Sequence, residues 1–317
     1  MYASHVISSL LNLSLLGLAL SIPLPDGNSD AASTNQHKVL ILGGGVAGVI
    51  AARTLYEKGI DDFLIIEARD QLGGRLTSHS FGGKVVELGA NWIQGTQSGS
   101  GPANPILELA QRHNLTTQPS NFFDSMTTYD VDGPKDYLEV FNRSVDAYTD
   151  LTTSGGARVN KSLVDLTSRT GYLMQRTNPR TPHEEASEYY QANNFTFVPE
   201  EGGFSDENFL SIDQRGFKHF IQAEAAEFLL PHQVQYNALV KNISYSGDGV
   251  TVTLDNGTTL TGDYAICTFS LGVLQNDDVV FEPELPDYKW EAISSMTMAT
   301  YTKIFLQFPE KFWFDTE

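Results

Sequence analysis

Cysteine is almost absent: Cys267 is the only one in 317 residues. A single thiol cannot close an intramolecular disulfide, and no CxxC or Cys/His zinc spacing exists. Cys267 sits in the apolar run YAICTFSLGVL and is expected in the core. The seven histidines are scattered, without HxxxH or HExxH, so no metal is expected. Basic residues are also scarce. Twenty Lys and Arg face 39 Asp and Glu, a formal net charge of −19. This balance argues against nucleic-acid binding through a basic face. It favours the approach of polycations.

Long apolar runs are missing except near the start. Residues from about Val6 to Leu24 are mostly apolar, with small residues Ala19 and Ser21 near the end. The stretch is short for a membrane span and reads as a secretory signal peptide over residues 1–24, with a polar linker over 25–36. Its first residues hold His5 but no Lys or Arg, so a signal anchor is the alternative. No stable membrane span is expected in the mature chain. Asn114, Asn142, Asn160, Asn194, Asn242 and Asn256 each open an N-x-Ser/Thr sequon, which fits a secreted, extracellular glycoprotein.

What is present is a βαβ pattern. KVLIL, residues 38–42, reads as a buried strand, broken by Gly43-Gly44-Gly45. Val46 to about Lys58 reads as a helix ended by Gly59, and FLIIE, residues 63–67, as a second strand. Helices are expected near 104–113, 136–151, 161–175 and 183–192. NISYSGDGVTVTLDNGTTLTG reads as a β-meander, and YAICTFS and TYTKIFLQF as further strands. On a strand, Lys303 shares the less apolar face with Tyr301, Phe305 and Gln307, which reads as a solvated surface lysine. The last residues include Phe312, Trp313 and Phe314 and read as an unfinished chain.

Gly43-x-Gly45-x-x-Gly48 fits the dinucleotide-binding GxGxxG turn. Gly43 permits the tight turn, Gly45 lets backbone approach a diphosphate, and Gly48 lets helix and strand pack closely. The diphosphate would sit at the helix N-terminus. Glu67, about 20 residues on at a strand end, can accept hydrogen bonds from ribose hydroxyls. An acid there argues against a 2′-phosphate, hence against NADP. NAD and FAD remain equally served. Gly73-Gly74-Arg75 adds a close backbone approach and a forked phosphate donor, which is plausible for either and also an ordinary turn.

Taken together, GGGVAGV, IIEARDQLGGR, VELGANWIQG, TFSLGVLQ and YTKIFLQFPEKFW resemble the flavin-containing amine oxidases, most of all the extracellular polyamine oxidases of plants and fungi. The resemblance implies FAD. It implies contacts from Gly43, Gly45, Val46, Ala47, Gly48, Glu67, Ala68, Gly74 and Arg75, with Gly73 beside them. Gly89, Ala90, Asn91 and Trp92 would run beside the flavin ring, and the Val240 backbone would meet the adenine. Lys303 falls on the family lysine that holds a water against flavin N5, and Tyr301 on an active-site aromatic. Gln94 stands where the plant enzymes carry a glutamate that binds the cationic substrate, and it cannot pair that charge.

The expected fold is α/β: a discontinuous FAD-binding Rossmann-like domain with an inserted α+β substrate domain. The FAD domain would take residues 37–104 and 213–281. The mainly helical insert would take 105–212, and 282–317 would return to the substrate domain, ending before the family's C-terminal FAD segment. The implied activity is oxidation of spermine, spermidine or an acetylated form. Hydride would pass to flavin N5, giving an aldehyde, an amine and, with molecular oxygen, hydrogen peroxide. The alternatives are a non-catalytic flavoprotein fragment and another flavin oxidase, such as one for L-amino acids.

Overall fold

The computed structural model describes residues 35–120, 128–164, 166–192, 204–205, 207–298 and 301–312. The apolar stretch read as a signal peptide, its linker up to residue 34, the sequon at Asn194, and Trp313 and Phe314 lie outside the described residues.

The expected βαβ unit is present as β1 (Gln36–Leu42), α1 (Val46–Glu57) and β2 (Phe63–Ile66). β1 and β2 run parallel, with Leu42 opposite Ile66. Residues 39–42 and 63–66 are all buried. Parallel strands covered on both faces need no polar alternation, which is why these segments read as continuous apolar runs. Gly59 follows the last turn of α1 at φ 74°, a left-handed conformation that glycine adopts without a Cβ clash.

Next come the hairpin β3 (Ser78–Phe81) and β4 (Lys84–Glu87), then β5 (Trp92–Gln94), α2 (Pro105–Arg112) and β6 (Thr117–Ser120). A short pair, β7 (Tyr129–Asp130) and β8 (Gly133–Pro134), precedes α3 (Leu138–Asn160), α4 (Ser168–Gln175) and α5 (Pro182–Ala192). The chain continues through β9 (Asn208–Ser211), α6 (His219–Ala226), β10 (Val234–Gln235), β11 (Val240–Ser246), β12 (Gly249–Leu254) and β13 (Thr259–Cys267). It then forms α7 (Leu271–Leu274), β14 (Val280–Glu282) and α8 (Asp287–Ser295).

The main sheet has seven strands in the order β10-β2-β1-β13-β12-β11-β14. β10, β2, β1 and β13 are mutually parallel, and the meander β11-β12-β13 is antiparallel, as its turn residues suggested. One face packs Val39, Ile41, Phe63 and Ile65 against Val49 and Ala52 of α1 and Phe220 and Ile221 of α6. The other packs Leu40, Leu42, Leu64 and Ile66 against Val240, Val252, Leu254 and Leu260. β5, β9 and β6 form a second, antiparallel sheet that joins residue 92 to residue 211.

Several expectations are corrected. The meander's last strand and YAICTFS are one strand, β13, because pairing to β12 passes into pairing with β1 without a turn. Cys267 is exposed, not core. It is the last residue of β13, paired with Leu42 at the end of β1. α3 continues through Gly155-Gly156 to Asn160, since α4 and α5 pack along it and tertiary contact outweighs glycine's low helix propensity. A Cβ on Gly171 of α4 would overlap Leu151 of α3, so that approach depends on glycine. The helix expected over 161–175 is shorter, beginning at Ser168. Residues 301–308 form no strand. Their pattern also faces the other way: Ile304 and Leu306 are 79% and 71% exposed, while Lys303 is half-buried.

One charge sits inside the helical layer. Glu224 of α6 is 2% exposed and takes hydrogen bonds from Arg53 Nη1 of α1 (2.7 Å), from Arg112 Nη1 at the end of α2 (3.3 Å) and from His113 Nε2 (2.6 Å). Three helices are thereby tied to one carboxylate. Burial pushes the Glu224 pKa up, but the hydrogen bonds from Arg53 and His113 outweigh it and hold it below the ordinary glutamate value. Removing this carboxylate takes the acceptor from the buried His113 ring and the part-buried Arg53, and breaking a buried pair of this kind costs about 3–5 kcal/mol. Glu224→Ala is therefore expected to lower the urea unfolding free energy by about that much at neutral pH. Because the folded pKa is depressed, this contribution is complete above the unfolded glutamate pKa and fades as pH falls through the folded one. Equal stability of wild type and variant at pH 7 would contradict the assignment.

Candidate functional site

The chain turns sharply where β1 ends. Gly43 has φ 107°, and a Cβ there would lie 2.7 Å from Thr268 Oγ1. Gly43 N–H donates to Ile66 O at 2.9 Å, joining the ends of β1 and β2. A Cβ on Gly48 would overlap the Gly43 carbonyl oxygen, so α1 can press onto the turn only through glycine. Gly45 is different. Among the described residues its Cβ would meet only Gly74 Cα, at 3.8 Å, so the space directly beside it is open. Gly45 caps α1 without a side-chain hydrogen bond, and the first turn carries no acidic residue. The first N–H groups, with the positive end of the helix dipole, are therefore left for an anion.

Glu67 closes the other side. It is 6% exposed, and its carboxylate accepts from Gly44 N–H (2.7 Å) and Arg69 N–H (2.8 Å). A carboxylate has about four acceptor positions, so two remain for hydroxyl groups. The main chain fixes it further: Glu67 N–H donates to Gln235 O and Ala238 N–H to Glu67 O. Those bonds bring Val240, two residues on and buried, to the same strand ends. Ala68 is exposed beside Glu67. Burial and the Glu67 charge push the Tyr236 pKa up.

The glycine-arginine loop lies against the turn. Gly73 N–H donates to Gly44 O at 2.9 Å, and Gly73 bridges Gly45 in parallel. Arg69 Nη1 donates to Gly74 O (2.6 Å) and Thr77 Oγ1 (3.2 Å). From Arg75 the path continues, since a Cβ on Gly89 would overlap the Arg75 carbonyl oxygen. Lys303 then closes the far end. Its Nζ donates to Glu87 O (3.0 Å), to Gly89 O and to Asn91 Oδ1 (3.1 Å), and lies 5.9 Å from the Trp92 ring centroid. Burial pushes its pKa down, opposed by the Glu87 carboxylate. The reading of Lys303 as a solvated lysine is thus corrected: its face of residues 301–308 packs on the hairpin, where Phe305 meets Phe81 at 6.4 Å.

Gly43, Gly45, Val46, Ala47, Gly48, Glu67, Gly74, Arg75, Gly89, Asn91, Trp92 and Lys303 therefore follow one path. Ala90 is exposed along it. Gln94, at the end of β5, and Tyr301, 69% exposed, share no described contact with it. Sequence reasoning missed Arg69, Thr268 and the Glu87 side chain. Thr268 Oγ1 donates to the carbonyls of Leu42 (2.9 Å) and Gly43 (3.2 Å). Its place just after a strand parallel to β1 was the available signal, because α/β ligand sites form at carboxyl ends of strands.

A sequence profile of the flavin containing amine oxidoreductases matches residues 46–219 and 176–317. The chain belongs to this family. It is 34% identical to polyamine oxidase 1 of Zea mays over 337 residues, covering 95% of this chain and 66% of that protein. It is 35% identical to polyamine oxidase 6 of Oryza sativa subsp. japonica, covering 94% and 65%. A structure of wild-type putrescine oxidase bound to putrescine superposes with a TM-score of 0.55 at 20% identity, covering 82% and 63%, and supports the fold. The chain thus spans just under two thirds of the length of these relatives.

The family's cofactor is FAD, and the residues fit it: an uncapped helix end for the diphosphate, a fixed carboxylate for ribose, and open space at Gly45. Gly45→Ala should leave the melting temperature little changed, since the added methyl touches only Gly74. It should weaken FAD binding at least tenfold, about 1.4 kcal/mol. Gly48→Ala should lower both. Fluorescence titration with FAD beside a thermal melt checks this, and undiminished FAD affinity in Gly45→Ala would contradict the site.

Proposed function

We propose that this protein oxidises polyamines with FAD. The observation that supports it most is the chain of close contacts from Gly45 through Gly74, Arg75 and Gly89 to Lys303, which joins an uncapped helix start to a half-buried lysine. When bound, FAD would supply the hydride acceptor; water hydrolyses the imine left on the substrate to an aldehyde and an amine, and molecular oxygen takes the two electrons to give hydrogen peroxide. In this reading the N-terminus of α1 and Arg75 hold the diphosphate, and Glu67 orients the ribose. The Val240 backbone meets the adenine, and Asn91 and Trp92 line the flavin side. Lys303 uses all three ammonium hydrogens on protein acceptors, so placing a water requires it to release one. Gln94 hydrogen-bonds the substrate amine, Tyr301 supplies an aromatic wall, and the net charge of −19 draws the polycation in. The names of the maize and rice relatives favour polyamines over other amines.

A second reading is a chain that binds FAD without turnover. The 69% exposure of Tyr301 favours it, since a substrate wall in contact with water cannot exclude solvent. Secretion with N-glycans belongs to the first reading. Asn114, Asn142, Asn160 and Asn256 are all exposed, and a glycosidase-sensitive mass of the exported protein tests it.

Anaerobic addition of spermidine or spermine to the FAD-loaded chain is expected to bleach the flavin absorption band. A stable band that no polyamine bleaches would favour the second reading. Gln94→Glu, by adding a charge-assisted partner, is expected to lower KM for spermidine about tenfold, with kcat moved less. An unchanged KM would remove Gln94 from the substrate site.

A further inference from the structure

Lys303 is held by three oxygens, and they differ in kind. Two are main-chain carbonyls, of Glu87 at the end of β4 and of Gly89. The third, Asn91 Oδ1 at 3.1 Å, is a side chain. An ammonium has three N–H donors and no acceptor, so this set saturates it. A neutral amine has two donors and a lone pair, and one of the three oxygens would then face that lone pair. The cradle therefore favours the charged lysine, while burial favours the neutral one. Among the described residues, Glu87 of β4 is the titratable neighbour acting on Lys303. Its carboxylate is itself fixed by Phe217 N–H (2.8 Å) and the Ser78 hydroxyl (3.0 Å). Asn91 is fixed too, because its main-chain oxygen accepts from Ser211 N–H of β9 at 2.8 Å. Its amide must turn oxygen, not nitrogen, toward Lys303, since only oxygen can accept.

We infer that Asn91 is a positioning residue for Lys303: its side-chain oxygen is the one adjustable acceptor that fixes the ammonium against the strip from Glu87 to Trp92. The inference rests on reading that strip as the flavin side of the site. It makes residue 91 a position, beside Glu87, at which the lysine's charge state can be changed by substitution.

The test is an NMR titration of the Lys303 ε-methylene in lysine-labelled protein without cofactor, with the signal assigned by its loss in Lys303→Arg. Asn91→Asp keeps the side chain's size and adds a charge 3.1 Å from the ammonium. It should raise the midpoint by about one pH unit or more, tenfold in proton affinity. Asn91→Leu removes the acceptor and should lower the midpoint. If Asn91→Leu does not melt cooperatively, the near-isosteric Asn91→Asp decides alone. A midpoint in Asn91→Asp matching wild type would overturn the inference, and so would an upward shift in Asn91→Leu. FAD retention is measured separately. A wild type that binds no FAD would sink the functional reading and leave the titration result standing.

Discussion

A single buried carboxylate organises the nucleotide end of this protein. Glu67 accepts one backbone N–H from the turn after β1 and one from the loop after β2, and its main chain bonds to residues 235 and 238. The ends of three strands are thus fixed around one negative charge. The glycines make this closeness possible. A Cβ on Gly44 would lie 3.0 Å from the Glu67 carboxylate and 2.6 Å from Leu72. The turn, the acid and the Gly73-Gly74 loop therefore stand or fall as a unit, and the uncapped start of α1 points into the space they leave.

The lysine end follows a different logic. There the chain packs as extended segments without a shared ladder, held by side chains across long sequence distances. Lys303 reaches residues 87–91, and Gln307 occupies the place a Cβ on Gly82 would take. One end is thus fixed by the sheet and the other by side-chain clasps. Glu224, with Arg53, Arg112 and His113, holds the helices that back the sheet.

Much of the nucleotide half was legible in the sequence, because its signals are local. KVLIL, the glycine triplet, FLIIE and Gly59 each report a backbone requirement within a few residues. The meander was legible from its Gly-Asp-Gly and Asp-Asn-Gly turns. The lysine half was not. Alternation in YTKIFLQF predicts a strand with its apolar side inward, yet Phe305 and Lys303 pack inward and Ile304 faces out. Which face finds a partner is decided more than two hundred residues upstream. Cys267 failed for a related reason, since the last residue of an apolar interior strand can still be exposed. The Glu224 network joins residues 53, 112, 113 and 224, and no spacing rule connects them. Periodicity alone placed Lys303 in solvent, whereas the structure half-buries it against residues 87–91.

The most direct test of the central claim is amide hydrogen exchange with and without FAD. The Gly44 and Arg69 amides already bond to Glu67, whereas those opening α1 have no cap. FAD is predicted to slow exchange at Val46, Ala47 and Gly48 and to leave Gly44 and Arg69 nearly unchanged. Protection at Gly44 and Arg69 without protection at the start of α1 would contradict a cradle pre-formed by Glu67.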